Sequence, residues 1–127
     1  MNTDKRFDQI TETIIGLAFK VHNKLGGGFL EKVYKNALAY ELRKVGLNVQ
    51  IEVPLPVIYE DVVVGEYIAD LIVEGVILIE LKAAKGIDDA HLAQCINYLA
   101  ATKLPVCLLI NFGKRVEVKR IAGPTLS

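Results

Sequence analysis

The chain has 127 residues, 52% of them apolar, and fifteen basic side chains balance fifteen acidic ones to a formal net charge of zero. That length suits one domain with a well-supplied core, so residues 1–127 are expected to form a single unit. The neutral balance excludes binding of nucleic acid by overall positive charge, though not by a local patch, and no apolar run reaches the roughly 18 residues that cross a membrane.

The spacing of Phe7, Ile10, Ile14, Leu17, Ala18 and Val21 predicts a helix over Asp4 to Lys24 with one apolar stripe. Gly26-Gly27-Gly28 then supplies a left-handed cap and a reversal. No strand precedes these glycines and no Gly-Lys-Ser/Thr follows, which argues against a phosphate-cradling loop. A second helix is expected from Phe29 to Val45, with Leu30, Val33, Ala37, Leu38, Ala39 and Leu42 on its apolar side and Glu31 and Tyr34 flanking it. By itself Glu31 is a carboxylate favoured by the helix N-terminal dipole.

Three strands follow. Asn48 to Tyr59 carries Pro54 and Pro56, which cannot donate to a ladder, so it is read as an edge strand. Glu60-Asp61 is a turn, and Val62 to Val73 is the second strand, with Gly65 marking a bulge. Strict alternation puts Glu66, Ile68, Asp70 and Ile72 on one face and Tyr67, Ala69, Leu71 and Val73 on the other. Val76 to Lys82 is the third strand, after a tight turn at Glu74-Gly75. Asp88 or Asp89 caps a third helix reaching Thr102, with Leu92, Cys95, Ile96 and Leu99 in its apolar stripe and His91, Gln94 and Tyr98 beside it. The apolar run Val106 to Asn111 reads as a central strand and Arg115 to Ile121 as a more exposed one, before a loose tail from Gly123 to Ser127. The order predicts an α/β fold around a mixed sheet, an antiparallel meander joined to a parallel crossover.

Cys95 and Cys107 stand in no CxxC pair or Cys/His cluster, which argues against structural zinc. Both read as small buried residues in a reducing cytosol. The start M-N-T-D-K-R-F-D has no apolar leader segment, so a soluble cytoplasmic protein is expected.

The stretch Asp70 to Lys82, D-L-I-V-E-G-V-I-L-I-E-L-K, holds the chemistry. Glu80 and Lys82 share a strand face with Val76 and Leu78, and the tight turn returns Asp70 to the same end. Carboxylates and an ammonium at the rim of an apolar sheet are costly unless paired or bound to a metal. Two outcomes fit the spacing. One is a salt-bridged sheet edge. The other is a site for a hard divalent cation, which takes one or two carboxylates and activates water for phosphodiester hydrolysis. His22 and His91, the two histidines, have both structural and site roles open to them.

The segment G-F-L-E-K-V-Y, Gly28 to Tyr34, resembles the signature of the GxxExxY protein family, which is placed in the PD-(D/E)xK nuclease superfamily. The likeness extends through V-H-N-K-L-G-G-G-F-L-E-K-V-Y-K-N-A-L, I-A-D-L-I-V-E, I-E-L-K-A, H-L-A-Q-C-I-N-Y-L and L-L-I-N-F-G, nearly the whole chain. It implies a restriction-endonuclease-like core of about five strands flanked by three helices. It also implies that Asp70 and Glu80 are metal carboxylates, that Lys82 is the superfamily lysine and that Glu31 joins or supports the metal site. Gln94, backed by Tyr98, would be the functional glutamine of the following helix. Ala69 stands where the superfamily motif has proline. The function so implied is a Mg²⁺- or Mn²⁺-dependent nuclease or nuclease-like phosphodiesterase acting on nucleic acid, DNA or RNA. The alternative is a non-catalytic nuclease-fold module that binds nucleic acid or a protein partner. A homodimer through the proline-bearing edge strand is compatible with either.

Overall fold

A computed structural model describes residues 2–123, with side chains from Lys5 onward. The elements are α1 (Asn2–Leu25), α2 (Glu31–Lys44), β1 (Val49–Tyr59), β2 (Val62–Val73), β3 (Ile77–Lys82), α3 (Asp89–Thr102), β4 (Val106–Phe112) and β5 (Val116–Ala122). The sheet order is β1-β2-β3-β4-β5. Only β3 and β4 run parallel, and every other neighbouring pair is antiparallel. This is the expected meander plus crossover, a restriction-endonuclease-like α/β arrangement.

Each sheet face carries its own core. On one, Phe7, Ile10, Ile14, Ala18 and Val21 of α1 and Tyr34, Leu38 and Leu42 of α2 pack against Leu71, Ile79, Leu81, Leu108 and Ile110. On the other, Cys95, Tyr98 and Leu99 of α3 cover Ala69, Ile72, Leu78, Cys107 and Leu109. Both faces of β4 are covered, so every residue of that strand is buried, Asn111 included. Both cysteines are free and buried.

Several expectations need correcting. Leu30 is 79% exposed because it is the residue before α2 and so lies off the helical stripe. Val33 and Ile96 also face outward, since the buried stripes run one position away, through Tyr34 and Leu38 in α2 and through Cys95 and Leu99 in α3. The bulge in β2 falls at Val64 rather than Gly65: the register passes from Val57 against Gly65 to Ile58 against Val63, leaving Val64 as the extra residue. Gly123 is held, its N–H donating to Pro105 O at 2.7 Å, whereas residues 124–127 of the expected loose tail lie outside the described residues.

The largest departure concerns β2. Ala69 packs with the α3 core and Leu71 with the α1–α2 core, although alternation puts them on one face. β1 changes faces at the same rung, with Ile51 beside the α1–α2 core and Val53 beside the α3 core. Glu52 lies between them with a left-handed backbone, φ 53°. A left-handed residue inserted in a strand rotates the following residues about the strand axis, which is why the faces exchange there.

α2 begins where it does because Tyr34 is anchored. The tyrosine is fully buried and stacks on Phe112 with centroids 4.6 Å apart. Its hydroxyl donates to Gly26 O at 2.6 Å and accepts from Phe29 N at 3.2 Å. Gly26 itself caps α1 at φ 75°, its N–H donating to His22 O. The loop between the helices is thus tied from both sides to one phenol. Tyr34→Phe keeps the stack and removes both bonds, so it should cost about 1–3 kcal/mol in denaturant unfolding. An unchanged midpoint would show that the hydroxyl does not hold the loop.

Candidate functional site

The β2–β3 ladder is short. It pairs Val73 with Ile77, Ile72 with Leu78 and Leu71 with Ile79, then stops. Beyond it β3 continues only with β4, through Glu80–Leu109, Leu81–Ile110 and Lys82–Asn111. β2 continues only with β1, out to the turn at Glu60-Asp61. The sheet therefore forks, and Asp70 and Glu80 stand at the apex. Side chains replace the missing rung: Leu81 N donates to Asp70 Oδ2 at 2.8 Å, and Asp70 N donates to Glu80 Oε2 at 3.0 Å. Asp70 lies at the residue where β2 exchanges faces, so its carboxylate reaches sideways to β3 and takes the place of a strand carbonyl.

The fork also removes the sheet from between groups of its two faces. Glu31 opens α2, on one face, and its carboxyl is raised above the ordinary value, first by burial and then by Asp70. Lys82, Lys35 and His91 lower it, so the field of α3 reaches Glu31 as well. Asp70 is raised by burial, against the Leu81 hydrogen bond and Lys35 and Lys82. Glu80, 3% exposed, is pushed up to about 8 by burial and then by Asp70. The Lys82 ammonium lowers all three carboxyls without offsetting the cost of burial. From α3, Gln94 Nε2 donates to Tyr98 Oη at 3.1 Å. Tyr98 packs on Tyr67, with centroids 4.8 Å apart, and its hydroxyl is raised to about 12 by burial, Glu80 and Asp70.

The structure thus gathers Glu31, Asp70, Glu80 and Lys82 around the fork, with Gln94 joined through Tyr98. It does not draw the acids into a closed cluster: among the described residues no three His, Cys, Asp or Glu side chains are placed to hold a metal ion together. The histidines serve the scaffold. His22 Nε2 bonds Gly113 O at 2.9 Å, tying α1 to the β4–β5 turn. His91 Nδ1 accepts from Asp88 N while Asp88 Oδ1 accepts from His91 N, a reciprocal cap on α3. One pair escaped the sequence reading, Lys35 Nζ on Glu52 Oε2 at 2.7 Å, whose lysine lowers the Asp70 carboxyl and whose glutamate raises it. Spacing on α2 points elsewhere, to Glu31 and Lys35 at i and i+4, so nothing local in the sequence indicates this pair.

A pH dependence follows from Glu80. Unfolded, it titrates near 4.5; folded, near 8. Between these values the native state binds the extra proton, so this group's contribution is fully present below 4.5 and is lost as pH rises through 8. In chelator, unfolding free energy should fall across that window by up to about 1.4 kcal/mol per pH unit relative to Glu80→Gln. A wild-type-minus-variant difference that stays flat across the window would contradict the burial assigned to Glu80.

Comparison with known proteins agrees with this arrangement. The crystal structure of SSO0001 superposes with a TM-score of 0.51 at 17% identity, over 73% of this chain and 50% of that one, which is a likeness of fold. The chain spans about half the length of that protein. No curated protein matches the chain. Residues 8–121 match the family model of the PD-(D/E)XK nuclease superfamily, and the chain belongs to that superfamily.

Proposed function

We propose that the chain, as one domain over residues 1–127, is a cytoplasmic nuclease or nuclease-like phosphodiesterase that hydrolyses nucleic acid with Mg²⁺ or Mn²⁺. One observation carries the reading. Asp70 and Glu80 meet at the fork, Glu80 almost wholly buried, and among the described residues neither has a Lys, Arg or His ion-pair partner. Two such carboxylates favour either a shared proton or a cation. Nucleases of the superfamily generally use divalent metals, and a pair of carboxylates is the hard oxygen set that suits Mg²⁺ or Mn²⁺, the remaining positions going to water and phosphate.

Asp70 and Glu80 would hold the cation through the oxygens not committed to Leu81 N and Asp70 N, and Glu31 would join or support them from α2. A cation bound there lowers the pKa of a water and polarises a phosphate oxygen. Lys82 orients the attacking water and stabilises negative charge developing on the phosphate. Gln94, steadied by Tyr98, positions a water or phosphate oxygen from the α3 side. The open spacing of the acids favours one second reading, a non-catalytic module that keeps the fold and binds nucleic acid or a protein partner.

Isothermal titration with Mg²⁺ or Mn²⁺ should show binding that Asp70→Ala and Glu80→Ala abolish. Single-stranded, duplex and branched substrates with Mn²⁺ should include one that is cleaved, with Lys82→Ala slower by about 10²–10³-fold. A native protein that binds no cation overturns the metal reading. Nucleic-acid binding without cleavage of any substrate selects the second.

The proposal includes a homodimer. The β1–β2 arm beyond the fork exposes Ile58, Tyr59, Val62, Val63, Val64 and Ile68, each by more than half. Covering them in a second copy would remove on the order of 600 Å² per chain, close to the roughly 800 Å² per partner of a standard interface. Sedimentation should show a dimer that Val63→Lys dissociates; a wild-type monomer at high concentration removes the dimer from the proposal.

A further inference from the structure

A second feature begins where the acidic fork ends. Leu30 adjoins Glu31 and Ala83 adjoins Lys82, and both line a cleft of about 570 Å³. One wall is Gly28, Phe29 and Leu30; the other holds Lys85 and Lys114. Lys85 and Lys114 continue into a neighbouring cleft of about 440 Å³ with Arg115. Glu117 also lines the second cleft, and its Oε1 accepts from Asn111 Nδ2 at 3.3 Å. Among the described residues none of Lys85, Lys114 and Arg115 forms an ion pair.

The walls are held in place. Asn111, fully buried, accepts from Ala84 N at 2.9 Å and donates to Ala84 O at 3.0 Å, which fastens the Lys85 loop to the end of β4. Gly113 lets the next turn pass that loop closely, for a Cβ there would stand 2.6 Å from Ala84 O. Lys85 is therefore set beside Lys114 and Arg115 by backbone packing. On the other wall Phe29 is 45% exposed, yet it is fixed edge-on to Tyr34 with centroids 6.2 Å apart. Two lysines that share a cleft with a pre-positioned, half-exposed aromatic ring, continued by Arg115 in the adjoining cleft, are the pairing that takes phosphates and an unstacked base.

We infer that this cleft binds an unpaired polynucleotide strand, its phosphates on Lys85, Lys114 and Arg115 and a base on Phe29, and delivers the strand to the fork. The inference rests on the nucleic-acid part of the proposed function. A duplex keeps its bases stacked inside and offers Phe29 no free face, so single strands bind better. Phosphates and stackable bases are common to DNA and RNA strands, so the two share the chemistry.

The test is fluorescence anisotropy of the full chain in chelator, with labelled oligothymidylate, oligouridylate and a duplex of equal length. The wild type should bind a single strand at least tenfold more tightly than the duplex, and the tighter single strand names the source. The triple variant Lys85→Ala, Lys114→Ala, Arg115→Ala should weaken binding and reduce the salt slope by about 2. Phe29→Ala should weaken binding by about five- to a hundredfold and leave the salt slope unchanged, with Phe29→Leu as the variant that keeps apolar packing but loses the ring. Lys44→Ala, about 20 Å away at the far end of α2, should change affinity by less than twofold. No binding, equal binding of duplex and single strand, or an unchanged salt slope in the triple variant overturns the inference. Because chelator is present, a failed cation titration leaves this result standing, and a failure here leaves the metal reading standing.

Discussion

The break in the β2–β3 ladder at Asp70 is the constraint on which the site depends. A continued ladder would pair Asp70 with Glu80 through backbone atoms and send both side chains to one covered face, where two carboxylates would meet apolar core. Instead β1 and β2 exchange faces at Glu52 and Asp70, and the rung is closed by the carboxylates themselves. The left-handed backbone of Glu52 is a cost of about 1–3 kcal/mol at a non-glycine residue. The Lys35 ion pair and the two full cores on either side over-determine that conformation. The result is an opening beside the doubly covered centre of the sheet, the place where groups from α2 and α3 can act on one another.

What surrounds the opening is rigid for separate reasons. Tyr34 gathers the loop after α1 and the start of α2, which fixes where the helix begins that Glu31 opens. Asn111 gathers the loop after β3, which fixes the chain immediately beyond Lys82. Both anchors rest on the end of β4, Tyr34 by stacking on Phe112 and Asn111 by belonging to it. A fully buried central strand thus serves as the common base for an acidic residue on one side and a basic loop on the other.

Much of this was legible in the sequence. Helical spacing, paired glycines and prolines located the elements within a few residues, because those signals are local. The association of Asp70, Glu80 and Lys82 was legible from alternation and one tight turn. The face exchange at Asp70 was not, since it depends on a left-handed Glu52 and nothing in the residue type asks for one. Leu30 and Val33 misled for a related reason: they are apolar at helical spacing, but Tyr34 sets which side of α2 is buried. The basic cleft escaped because Lys85, Lys114 and Arg115 come from two loops that meet only through Asn111 and Gly113.

Zero net charge looked unfavourable for a protein that handles nucleic acid, but the total conceals how the charges are spent. Among the described residues one acid in each of α1, α2 and β1 is matched locally: Asp8 with Arg120, Glu41 with Lys20 and Lys44, Glu52 with Lys35. Glu60 and Asp61 are carried about 30 Å from Asp70 along the β1–β2 arm, beyond the range at which exposed charges act through salt. Of the cations that form no ion pair among the described residues, Lys82 ends β3 at the fork, and Lys85, Lys114 and Arg115 lie in the two loops beside it. An anion approaching that end meets a local field that overall composition does not reveal, because screening confines each charge to its own neighbourhood.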